Sequence, residues 1–85
     1  MALIPPGALI EVAKVFTFGA KKYGADNWRN GISYRRLISA SMRHISAYNS
    51  GEDLDPESGL SHLSHASANL LMLCEFAALD LGGRS

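Results

Sequence analysis

The stretch "RHISAYNSGEDLDPESGLSHLSHASAN", Arg43 to Asn69, gathers His44, Glu52, Asp53, Asp55, Glu57, His62, His65 and Asn69 around one loop. Imidazole nitrogens and carboxylate oxygens are the side-chain atoms that ligate divalent cations and move protons near neutral pH. Without a thiolate among them the donor set suits Mg²⁺ or Mn²⁺, and Mn²⁺ more as the number of nitrogens rises. Glu52, Asp53, His62 and His65 are the candidate metal ligands. Glu52, Asp53 and His44 are the candidates for activating a water. His62 and His65 are three apart and Asn69 is four beyond His65, so the three stack along one face of a helix. An amide at Asn69, set among "SANLLMLCEF", must find a polar partner or cost about 1–3 kcal/mol. The spacing matches no HExxH, zinc-finger, P-loop or GxGxxG signature, and the acids do not fall at the positions of an EF-hand loop.

These residues need three helices to position them. Pro5-Pro6 followed by Leu9, Val12, Ala13, Phe16, Ala20 and Tyr23 predicts a helix over 6–23, ended by Gly24. Glu11, Lys14, Phe18 and Lys21 fall on a second, polar and basic face of it. "ADNWRNG" is a loop around Trp28, and Ser33 is the expected N-cap of a helix over 34–49. The inward stripe of that helix is expected to be Tyr34, Leu37, Ser41, Ile45 and Tyr48, widened by Ile38 and Met42. Pro56 forbids a continuous helix through Asp55, so a third helix, over 60–80, is separate. An antiparallel hairpin of the second and third helices then brings His44, the acidic loop, His62 and His65 to one end.

From Ala66 onward the third helix is apolar nearly all round, and such a helix needs cover on every side. Ser61, Ser64, Ser67 and Ala68 would let another helix come close. The expected fold is therefore all-α, one domain over 1–85, with helices packed into an intersubunit bundle of a homodimer or higher oligomer and with a frayed tail at 82–85. Strand alternation and internal repeats are absent.

The formal charge is zero, with eight Lys and Arg against eight Asp and Glu, which argues against a protein that holds nucleic acid by general backbone neutralisation. The charge is unevenly placed. Residues 1–44 carry seven cations against two acids, and residues 45–85 one cation against six acids, balances of +5 and −5. Cations for phosphates beside carboxylates for a metal is what a metal-bound polyphosphate would want. Cys74 is the lone cysteine, so no internal disulfide or thiolate cluster forms. No signal-type segment opens the chain, and Ser67, Asn69 and Glu75 interrupt the run from Ala66 to Leu79, so a cytoplasmic protein with no membrane span is expected.

The blocks "LIPPGAL", "FGAKKYGADNW", "RH" and "GEDLDPESGLSHLSHASAN" resemble a phage-associated family, the dATP/dGTP diphosphohydrolase N-terminal domain, over roughly residues 3–79. The resemblance implies an all-α pyrophosphohydrolase akin to the MazG-like group, splitting a purine deoxynucleoside triphosphate into monophosphate and pyrophosphate with a divalent metal. On that reading Lys21, Lys22 and Arg43 would hold the polyphosphate, Trp28 would meet the base, and Tyr23, Asn27 and Asn69 would complete the substrate site. Asp55 and Ser58 match the same motif without an assigned role. The MazG-like group holds metal with ExxE and ExxD on consecutive helices, whereas the second helix here has no carboxylate. Related chains also begin with a basic stretch and an Asp before "LIPP", so a shortened phosphate site is expected. A nucleotide- or nucleic-acid-binding helical oligomer without turnover is the alternative.

Overall fold

The computed structural model describes residues 3–24 and 33–79, and the statements below concern those residues. Three helices are present among them: α1 (Pro6–Tyr23), α2 (Tyr34–Asn49) and α3 (His62–Leu79). They lie within two residues of the ranges expected from the sequence. The anticipated loop around Asn27 and Trp28 and the tail at 82–85 fall outside the described residues.

Each helix boundary has a local cause. Pro5 sits at the N-cap of α1 and Pro6 supplies the preset φ of a first turn, where a missing N–H costs nothing. Gly24 closes α1 at φ +95°, its N–H bonding Ala20 O at 2.9 Å. Ser33 is the N-cap of α2 through its carbonyl, which accepts from Arg36 and Leu37, rather than through a side-chain bond. At the end of α2, Gly51 N–H bonds Tyr48 O and Glu52 N–H bonds Ala47 O, both at 3.0 Å, with Gly51 at φ +106°. This is a Schellman turn, whose left-handed residue favours glycine and reverses the chain. Ser61 starts α3 by accepting the Leu63 N–H on its hydroxyl at 3.1 Å.

α3 packs against both α1 and α2. Tyr34, at the start of α2, stacks on Phe76, near the end of α3, with ring centroids 6.0 Å apart. Leu37, Ala66, Ala68 and Phe76 are the buried apolar residues. The hairpin therefore has an apolar end at Tyr34 and Phe76, and a polar end where α2 finishes and α3 begins.

Two packing expectations change. Tyr34, Leu37 and Ser41 face inward as expected, but Ile38, Met42, Ile45 and Tyr48 are exposed, and His44 continues the inward face in their place. Ser41 accounts for its own burial, since its hydroxyl bonds Leu37 O at 2.8 Å within the helix. Ser64 and Ala68 are buried within the chain, not presented to a mate, because small side chains are what let α1 and α2 approach α3. No helix among the described residues is long and apolar enough to cross a membrane.

Candidate functional site

The loop between α2 and α3 is closed by backbone bonds. Asp55 N–H bonds Leu60 O at 2.8 Å, His62 N–H bonds Asp53 O at 3.0 Å, and Leu54 and Ser61 form an antiparallel bridge. Asp55-Pro56-Glu57-Ser58 is a turn whose first residue also accepts the Ser58 N–H on its carboxylate at 3.0 Å, the bond an Asp at this position supplies. The Ser58 hydroxyl lies 3.1 Å from the same Asp55 oxygen, 2.6 Å from His65 Nε2, and accepts the Leu60 N–H at 3.1 Å. The turn thus presents Asp55 and Ser58 to the first turn of α3 with little freedom.

Two chains of contacts meet at this end. In one, His62 Nε2 lies 2.7 Å from Glu52 Oε1 and His62 Nδ1 lies 2.8 Å from His44 Nδ1. A carboxylate only accepts, so neutral His62 carries its proton on Nε2 and accepts on Nδ1, and His44 donates from Nδ1. His44 Nε2 is then left with its lone pair. In the other, His65 sits by Ser58 and, at 3.8 Å, by Asp55. The His44 and His65 rings join the two chains, stacked with centroids 4.6 Å apart and 9° between planes. Phe18 of α1 meets His65 edge-on at 6.3 Å, so the α1 face expected to be polar delivers an aromatic ring to the cluster.

Burial, then the neighbouring His65 and His62, hold the His44 imidazole below its ordinary range despite an upward pull from Asp55. Burial likewise lowers His65, with Asp55 opposing. For Asp55 burial pushes upward, but the Ser58 N–H and hydroxyl and the nearby imidazoles outweigh it, and the carboxyl sits below its usual value. Neutral rings with available lone pairs beside an ionised carboxylate are the protonation states a metal ion requires. His44, Asp55 and His62 each offer an atom, all within 4.8 Å of one another, and can ligate a single cation if it displaces the His44–His62 hydrogen bond, which otherwise occupies the His62 Nδ1 lone pair.

The other expected site residues distribute as follows. His44, Glu52, His62 and His65 come together, with Glu52 half-exposed at the rim. The Asp53 carboxylate is exposed and has no partner among the described residues; that residue contributes its backbone oxygen. Lys22 reaches across from α1 to pair with Glu57 of the acidic turn, while Lys21 and Arg43 are exposed. Asn69 is half-buried one turn beyond His65. Tyr23 ends α1, and Asn27 and Trp28 lie outside the described residues. Asp55 and Ser58, to which the sequence argument gave no role, sit nearer the histidines than Asp53. The readable signal for them was the Asp-Pro-x-Ser turn, which ties a carboxylate and a hydroxyl together locally.

Compared with known proteins, residues 1–82 match the family model described as dATP/dGTP diphosphohydrolase, N-terminal. A dATP/dGTP diphosphohydrolase of Salmonella phage PMBT28 is 38% identical over 73 residues, 86% of this chain. The chain spans about a quarter of that relative's length, 25%. No solved structure matches.

Proposed function

Since this chain belongs to the dATP/dGTP diphosphohydrolase N-terminal family, we propose that it hydrolyses a purine deoxynucleoside triphosphate to monophosphate and pyrophosphate at the histidine–carboxylate end of the α2–α3 hairpin. The observation that carries this reading is the convergence of His44, Glu52, Asp55, His62 and His65 in one connected cluster, in a chain whose relative is named for nucleotide hydrolysis. In the reaction a water oxygen bonds to the α-phosphorus, the bond from that phosphorus to the α–β bridging oxygen breaks, and the bridging oxygen leaves with pyrophosphate while the water's proton passes to a base.

His44 Nε2 is the base best placed to take the water's proton, because His62 and Glu52 fix its tautomer from behind in the order base, orienter, carboxylate. Where Mg²⁺ or Mn²⁺ is held by His44, Asp55 and His62, the His44–His62 hydrogen bond opens and His44 ligates instead of acting as the base; Glu52 then takes the water's proton, with His65 available to complete the shell. Such a cation supplies positive charge against the charge that develops on the phosphates. Lys22, now paired with Glu57, would exchange that carboxylate for a phosphate, and Lys21 and Arg43 would add positive charge nearby.

Incubating the protein with dATP, dGTP, dCTP and dTTP in Mg²⁺ or Mn²⁺, and separating products by chromatography, tests the proposal. Monophosphate and pyrophosphate in equal amounts, preferentially from the purines, is the expected result. Nucleotide binding with no product would favour the binding-module alternative.

A further inference from the structure

The outer face of α3 is not built for water. Leu63, Ser67, Leu70, Leu71, Cys74 and Ala77 are all exposed, the three leucines to 44–47% of their surface, and no charged residue interrupts them. Five of these six follow the 4-3-4-3 spacing of a helix–helix seam: 63, 67, 70, 74, 77.

We infer that α3 pairs with α3 of a second copy, antiparallel about a two-fold axis, in the register that sets Leu63 against the partner's Cys74 and Ser67 against the partner's Leu70. The order of large and small side chains selects this arrangement. In it every layer joins one leucine to one small residue: Leu63 with Cys74, Ser67 with Leu70, and the same two layers again by symmetry. The seam is therefore self-complementary, as an isologous interface must be. Parallel pairing would put leucine on leucine and serine on serine, alternating bulges with holes. Sliding the antiparallel pair one heptad toward the C-terminus sets Ser67 on Ala77 and leaves a void. Sliding it the other way drops Cys74 from the seam. Antiparallel helices also set opposite dipole ends side by side. The face differs from the Ser64 and Ala68 side, which the chain's own helices already cover.

The lone thiol makes the register measurable. Light scattering of the full chain at micromolar concentration should give twice the monomer mass. Mild oxidation of Leu63→Cys should yield covalent dimers whose linked peptides join position 63 to native Cys74, since that pair would lie within disulfide reach. The wild type should stay unlinked, and so should Ser46→Cys on the polar side of α2. Leu70→Glu should halve the mass and keep the helical spectrum. A monomeric wild type, a Cys74–Cys74 bond, or Leu63→Cys dimers lacking the 63–74 link would each overturn the assignment.

Discussion

His62 is the residue on which both the fold of the polar end and its chemistry depend, and replacing it by alanine gives the most informative perturbation. The side chain is 4% exposed and engages both ring nitrogens, with His44 at 2.8 Å and Glu52 at 2.7 Å. Removing it strands His44 Nδ1 in a half-buried position, a loss of about 1 kcal/mol. The bond to Glu52 counts for less, roughly 0.5 kcal/mol, because the carboxylate is half in water and screened. The space vacated by a buried ring adds about 1–2 kcal/mol. The sum is about 3 kcal/mol, or a fall in Tm of ~12–24 °C for a domain of this size. Asp53→Ala is the matched control. Its carboxylate is exposed, and the backbone carbonyl that accepts from His62 N–H survives the change, so less than about 0.5 kcal/mol is expected. Thermal unfolding followed by circular dichroism in EDTA, at one protein concentration, separates the two. A His62→Ala loss no larger than that of Asp53→Ala would refute the claim that the His44–His62–Glu52 chain organises this end.

Asp55→Asn keeps an acceptor for the Ser58 N–H but removes the charge, and it should weaken Mn²⁺ binding at least tenfold by calorimetry with the helical spectrum intact. Equal binding would remove Asp55 from the ligand set. In EDTA, stability should fall as pH drops below about 6.5, because His44 and His65 titrate lower in the fold than in the unfolded chain, which then takes up protons first. Asp55, also lowered in the fold, adds a loss in the same direction once the pH falls below its ordinary 3.8. His44→Gln or His65→Gln should flatten the profile between pH 6.5 and 4, as read by Tm. Lys22→Ala should raise KM for a triphosphate severalfold and move Tm by less than about 4 °C, since the exposed pair with Glu57 adds little stability.

The helices were legible because their punctuation is chemical and local. Pro6, Gly24 and Pro56 act through φ or a missing N–H as expected, whereas Ser33, the expected N-cap, makes no side-chain cap bond, and Ser61, expected within the third helix, starts it instead. The polar end was legible as a place, since a hairpin with a short connection must bring the end of α2 to the start of α3. Which carboxylate points inward was not. Asp53 and Asp55 both lie near the bridged pair Leu54 and Ser61, and the difference between them comes from the turn at Pro56, which bonds Asp55 to Ser58 and turns it toward His65. The faces of α2 misled for a related reason. Periodicity finds an apolar stripe without saying what covers it, and the stripe through Ile38, Met42 and Ile45 is as regular as the one that is buried. Ser41, expected inward, and His44, which was not, hold the interior because they can satisfy their polar atoms there, one on Leu37 O and the other on His62. Hydrogen bonding to a helix's own backbone or to the facing helix decides burial in a core this small, and hydropathy carries no trace of it.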